Sequence, residues 1–234
     1  MRRFARNNGL SLVTFAFFLL FLIGQGVMGW LVYREDQQEH GETAPGYIAY
    51  LVSPHFVEAT SENWESEFLQ MGMFVLFTVW LHQKGSAESK RIGKEEEVDR
   101  DPDTGDVPRD RMPAPVRIGG VAETLYSHSL SIALLTLFAF SFAAHVWSGA
   151  ILHSREELAH GGEAVSALGY LKTSRLWFES FQNWQSEFLA VFALSVLGIW
   201  LREKGSPESK PVDAPHDQTS DSSEGGGEGK KQAA

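Results

Sequence analysis

The chain has 234 residues, with 30 acidic and 20 basic side chains, a formal charge of -10 and no cysteine. The acidic balance argues against a nucleic-acid partner, and the lack of thiols excludes disulfides and thiolate metal sites. Hydrophobic residues make up 43% of the chain but are sharply segregated, so an average composition conceals the pattern that matters.

Four apolar blocks stand out: Leu10 to Val32, Phe68 to Leu81, Leu130 to Leu152 and Phe188 to Leu201. The first and third are about 23 residues long, enough to cross a hydrocarbon core of roughly 30 Å at about 1.5 Å per helical residue. The basic start, Arg2, Arg3 and Arg6, also suits a secretory leader. The length of the run and its mid-chain counterpart favour a retained span instead. The first helix is predicted to start near Asn8 and to run on to His40-Gly41, about two turns past the apolar run. The third is predicted to run on to His160-Gly161 in the same way.

After each long helix a short segment, G-Y-I-A-Y-L-V or A-L-G-Y-L-K, reads as a short amphipathic or interfacial helix. Ser53-Pro54 and Thr173-Ser174 read as helix starts, with no breaker foreseen before Gly85 or Gly205. The second and fourth blocks are shorter than a usual span. Trp64 and Trp80 bracket one and Trp184 and Trp200 the other, and these four are read as interfacial anchors of two further spans.

The blocks are related by an offset of 120 residues. Asn63 to Lys90 and Asn183 to Lys210 share 14 of 28 positions without a gap, including N-W-x-S-E-F-L and K-G-S-x-E-S-K. The reading is a tandem duplication: 1-84 as the first repeat, 85-120 as a flexible charged linker, 121-204 as the second repeat and 205-234 as a disordered polar tail. The K-G-S-x-E-S-K segments are read as helix stops with lysine in the last turn. The fold class is an all-α integral membrane protein, with four transmembrane helices arranged as two parallel helical-hairpin repeats. Of the 20 basic residues, all but Arg34, Arg155, Lys172 and Arg175 lie outside the hairpin connections, which puts both termini in the cytoplasm.

Polar residues at membrane depth are the leading site candidates. Gln25 and His145 are equivalent at the 120-residue offset, as are Glu67 and Glu187, and the four are expected to form an intramembrane polar cluster. Such a group can exchange a proton or bind a cation, or it can serve as an interhelical hydrogen-bond network. Asp36 with His40, and Glu156 with His160, sit at i and i+4 and are the only metal-ligand pattern, a weak one, so no metal and no cofactor is expected. Gly24, Gly26 and Gly29, with Ala139, Ala143, Ala144 and Ser148, suggest close packing of the first and third helices. No Walker loop, dinucleotide fingerprint, His-Glu-x-x-His or nucleophile elbow is present, which points away from an enzyme.

The repeated N-W-x-S-E-F-L and K-G-S-P-E-S-K segments, the tandem hairpins and the polar tail resemble a family of small bacterial inner-membrane proteins built on a domain of unknown function. In the first copy K-G-S-A-E-S-K departs from the proline form. The resemblance implies a multi-pass address in the bacterial inner membrane and supplies no activity. The expected role is a non-enzymatic interaction or envelope-associated component, with a small proton- or cation-conducting protein as the alternative. Expected partners are the lipid bilayer, further copies of the chain or other membrane proteins, and no nucleic acid.

Overall fold

A computed structural model describes residues 2–102 and 107–219. Among these residues the regular structure is helical, with no strand. A short α1 (Arg2–Asn7) precedes α2 (Gly9–Glu39), followed by α3 (Tyr47–Leu51) and α4 (Pro54–Trp80). The linker carries single 3₁₀ turns at Glu97–Asp99 and Arg109–Arg111, then α5 (Ala114–Ile118) and α6 (Val121–Ser127). The second half contains α7 (Ser129–Ala159), α8 (Ala167–Tyr170) and α9 (Ser174–Leu197).

The boundaries follow local chemistry. Asn8 precedes α2 as foreseen, although its side chain donates back to the Phe4 carbonyl (2.9 Å) rather than capping forward. α2 and α7 are both 31 residues long and end alike. Gly41 and Gly161 take positive φ (73° and 81°), and the His40 and His160 Nδ1 atoms lie 2.8 Å from the carbonyls of Asp36 and Glu156. A left-handed residue after the last turn is where glycine costs least. The Ser53 hydroxyl accepts from the Phe56 N–H (3.3 Å), so Ser53 caps α4 and Pro54 fills its first turn. α9 ends at Leu197, before Gly198, so the glycine in this apolar run breaks the helix earlier than the predicted Gly205.

Among the described residues only α2 and α7 are both long and apolar enough to cross a membrane, so the expected four spans reduce at this level to two. α4 fails because its first ten residues, P-H-F-V-E-A-T-S-E-N, are mostly polar, and α9 has a similar polar start.

The chain forms two compact units. One comprises residues up to Glu62 together with Phe142–Trp177, and the other Asn63–Ser141 together with the residues from Phe178 on. In the first unit the small core is Val146, Ala150, Tyr170 and Leu176, joined by Phe142, Val165 and Leu171. Tyr170 plugs this core, and Tyr50 is the equivalent plug beside Gly29, at 0% and 1% exposed. They fit because Gly29 and Gly149 carry no Cβ: one built on Gly29 would lie 2.3 Å from the Tyr50 hydroxyl, and one on Gly149 2.6 Å from the Tyr170 ring. Gly26 likewise makes room for Tyr47 and Leu51. Gly26 and Gly29 therefore receive the short α3, a use that differs from the expected close approach of two long helices.

In the second unit α4 runs antiparallel to α7, with Gly72 against Leu134 and Leu135, and parallel to α9, with Gln70 Nε2 3.5 Å from the Glu187 carbonyl. Beyond the helices the two K-G-S-x-E-S-K segments fold identically. The Gln83 and Glu203 N–H groups donate to Ser89 and Ser209 (2.8 and 2.9 Å), and Glu88 and Glu208 N–H donate to Ser86 and Ser206 (3.2 Å each). α4 has already ended at Trp80, so Lys84 lies beyond its last turn and the motif is a stitched turn of its own.

The second-unit tail also carries structure where composition alone suggests disorder. Buried Lys210 Nζ donates to the carbonyls of Pro215, His216 and Gln218, and Thr219 accepts from the Gly85 N–H at 2.9 Å. Arg202 ties the end of α9 to this tail, donating to Gly198 and Ile199 on one side and Pro211 and Ala214 on the other. The linker residues Lys90 and Arg91 pair with Asp99 and Glu96. The expected disordered tail beyond Thr219 lies outside the described residues.

Candidate functional site

Burial in this chain is inverted relative to a water-soluble domain. Thr60, Ser61, Glu65, Ser66, Gln70, Ser131, Ser141, His145, Ser148 and Ser180 are buried, while Phe15, Phe17, Phe21, Phe140, Phe192 and many leucines are exposed. Soluble proteins expose scattered apolar residues but seldom whole helices of them. In α2 only 6% of the apolar window is buried, and in α7 22%.

The polar interior of the second unit centres on Glu65, which is fully buried. Its Oε1 accepts from the Ser180 hydroxyl (2.9 Å) and the Trp184 indole N–H (3.2 Å). α4 presents Glu65 and α9 presents Ser180 and Trp184 one turn apart, and the Trp184 ring meets Phe138 of α7 edge-on at 6.3 Å. Phe138 lies within the Leu130 to Leu152 apolar run of α7, so Glu65 is level with its interior, about 12 Å from its start.

That register bears on two of the four tryptophans. Trp184 is inside the apolar layer defined by α7 rather than at its border, and Trp64, adjacent to Glu65 on α4, shares its level. Trp80 and Trp200, both exposed, lie at or just past the ends of their helices.

The predicted polar cluster resolves into separate pairs. In the first unit the Gln25 amide donates to Thr60 (3.2 Å), and fully buried His145 has a ring nitrogen within 4.8 Å of a Glu58 carboxylate oxygen. In the second unit Glu67 and Glu187 lie near enough to interact electrostatically, but Glu67 is exposed. The buried acid of the N-W-E-S-E-F-L motif is therefore Glu65. Sequence reasoning passed over it because its counterpart at the 120-residue offset is Gln185. A signal was available: Ser61, Glu65 and Gly72 recur at helical spacing on α4, whereas Glu67, two residues on, points to the other side.

The predicted metal-binding pattern is occupied otherwise. His40 and Asp36 are both well exposed, their side chains 3.6 Å apart, and Glu156 is ion-paired with Arg175. The Asp36 carbonyl and carboxylate raise the pKa of His40. His55, at the start of α4, contacts the Tyr50 hydroxyl at 3.3 Å, and its ring lies 5.0 Å from that of Tyr33. Burial lowers its pKa, with the nearby Asp36 charge opposing. Among the polar turns beyond α4 and α9, burial and a hydrogen bond with Glu208 push Glu88 up to about 7.

The architecture defines an all-helical protein with two helices long and apolar enough to cross a membrane and a polar interior. The chain belongs to the family described as a domain of unknown function (DUF6766), whose model matches residues 1–221. No curated protein and no solved structure matches it.

Proposed function

We propose that the chain is a non-enzymatic, multi-pass protein of the bacterial inner membrane, with both termini cytoplasmic and an interior able to take up protons or cations. The observation that carries this reading is the inverted burial, with hydroxyl, amide and carboxyl groups inside and apolar side chains exposed outside. Lipid is the solvent that makes such a surface stable.

Several contacts support four spans rather than two. In the second unit α4 and α9 pack along α7 through Gly72, Leu135, Phe138 and Trp184, so a bilayer around α7 also surrounds them. α4 and α9 run parallel, as two copies inserted in the same direction would, and helix boundaries recur at the 120-residue offset. Both features favour the duplication reading.

Alkaline carbonate washing of membranes from a bacterium expressing the full chain tests the membrane assignment: the protein stays in the pellet. Release into the supernatant contradicts it. An interaction or envelope-associated role is also supported, because the stitched polar turns of residues 83–90 and 203–210 form an ordered surface beyond the helices. Proton and cation flux in proteoliposomes separates the two roles. Flux above that of empty vesicles favours ion handling, and its absence favours the interaction role.

A further inference from the structure

We infer that Glu88 and Glu208 form a proton-operated latch, which joins the two K-G-S-x-E-S-K turns at low pH and lets them part as pH rises. The latch lies in the polar turns beyond α4 and α9 and does not depend on which helices cross a membrane.

The two glutamates are equivalent at the 120-residue offset and are set by the same stitching, each with its N–H on the serine two residues before it (3.2 Å). Their side chains are hydrogen-bonded to each other. Ionised carboxylates only accept, so this bond exists only while one of the two carries a proton. Without that proton two like charges face each other and repel. Glu88 is half-buried in a cleft of about 480 Å³, whereas Glu208 is exposed, so the pair exchanges its proton with water.

The first turn is also closed against the end of α9 and the tail. A Cβ on Gly85 would lie 2.5 Å from the His216 carbonyl and 3.1 Å from Ile199, its N–H donates to Thr219 (2.9 Å), and Lys84 reaches Asp217 at 3.8 Å. Of these ties, only the carboxyl pair needs a shared proton.

The cations around the pair have other partners. Lys90 is bonded to Asp99 (2.7 Å) and Arg91 to Glu96 (3.0 Å), while Arg202 and Lys210 donate to backbone carbonyls. The other titratable groups on these turns and the tail are His82, Glu203, Lys204, Asp213 and His216, all exposed. Burial and the bond to Glu208 raise Glu88 from 4.5 to about 7. An open turn returns Glu88 to its ordinary value, so the ratio of closed to open falls about tenfold per pH unit from 4.5 to about 7.

The test is a distance measurement by electron spin resonance on the full chain in detergent, with nitroxide labels on Lys94→Cys and Lys204→Cys. Both positions are exposed, and the Lys90–Asp99 and Arg91–Glu96 pairs tie position 94 to the first turn. The label distance is expected to be short at about pH 5 and to gain a longer component by about pH 8.5. Glu88→Gln should hold the short distance at both pH values, because an amide donates to the Glu208 carboxylate without a shared proton. Glu208→Gln should do the same from the other side, so a poorly folded variant at one position leaves the other to decide. An unchanged distance in the labelled chain with both glutamates overturns the latch. A lengthening that survives in the glutamine variants also overturns it, and would assign the change to His82 or His216.

Discussion

The two halves of the chain share helices, caps and stitched turns, yet at several positions one half has a titratable side chain where the other has a fixed alternative. Glu65 faces Gln185 across the alignment, His145 faces Gln25, and His55 faces Arg175. Where the halves agree, as in the tyrosine plugs and serine-stitched turns, the residues are doing structural work. At Glu65, His145 and His55 one half carries an acid or a base, and the other a side chain whose charge is fixed.

The sharpest break of this comparison is at Glu65. Glu65→Leu leaves the Ser180 and Trp184 donors without that acceptor and is expected to cost about 2 to 4 kcal/mol in thermal unfolding in detergent. Glu65→Gln keeps an acceptor and should cost under about 1 kcal/mol. Gln185→Leu, at an exposed position, should lie within about 0.5 kcal/mol of wild type. Equal losses at Glu65 and Gln185 would erase the distinction between the halves.

The shared tyrosine plugs give the next effect. Gly149→Ala drives a methyl into the buried Tyr170 ring and is expected to cost about 1 to 3 kcal/mol. Gly29→Ala meets chiefly the far end of Tyr50, the hydroxyl at 2.3 Å and the ring carbon that bears it at 3.2 Å, and should cost less, measured by the same melts.

pH separates the halves more gently. Neutral His55 is favoured by burial, so its folded-state pKa lies below 6.5. The unfolded chain then binds more protons, and the contribution of His55 is present above pH 6.5 and lost as pH falls through the folded value. Arg175, paired with Glu156, has no such transition, so His55→Arg should flatten this acid limb. Glu88 has the opposite sign. Its pKa rises from 4.5 to about 7, so its contribution is present at low pH and lost as pH climbs toward 7. Melting profiles of Glu88→Gln should lose that slope. The smallest effect belongs to the exposed Asp36: Asp36→Ala should change stability by under about 0.5 kcal/mol, with or without added zinc.

Much of the fold was legible because its signals are local. Glycine after histidine ends α2 and α7, and Ser53-Pro54 starts α4, whatever else surrounds them. The site was harder to read. Trp64 and Trp184 resemble belt residues in a hydropathy profile, and only the contacts of Glu65, Trp184 and Phe138 place that level inside the apolar run of α7. The starts of α4 and α9 carry the same lesson: an averaged window registers their polarity, but not that Thr60, Ser61 and Ser180 are buried while Asn63 and Gln182 are exposed. Glu65 was hidden by the search for symmetric pairs, which favours residues the two halves share.

The central claim is that α4 and α9 cross the bilayer along with α2 and α7. The natural chain has no cysteine, so single cysteines at exposed Lys94 and Glu163 can be probed without background by an impermeant maleimide in spheroplasts. Four spans predict that Lys94→Cys is protected until the cells are lysed and that Glu163→Cys is labelled at once. Labelling of Lys94→Cys with protection of Glu163→Cys would mean that only α2 and α7 cross, and would contradict the account.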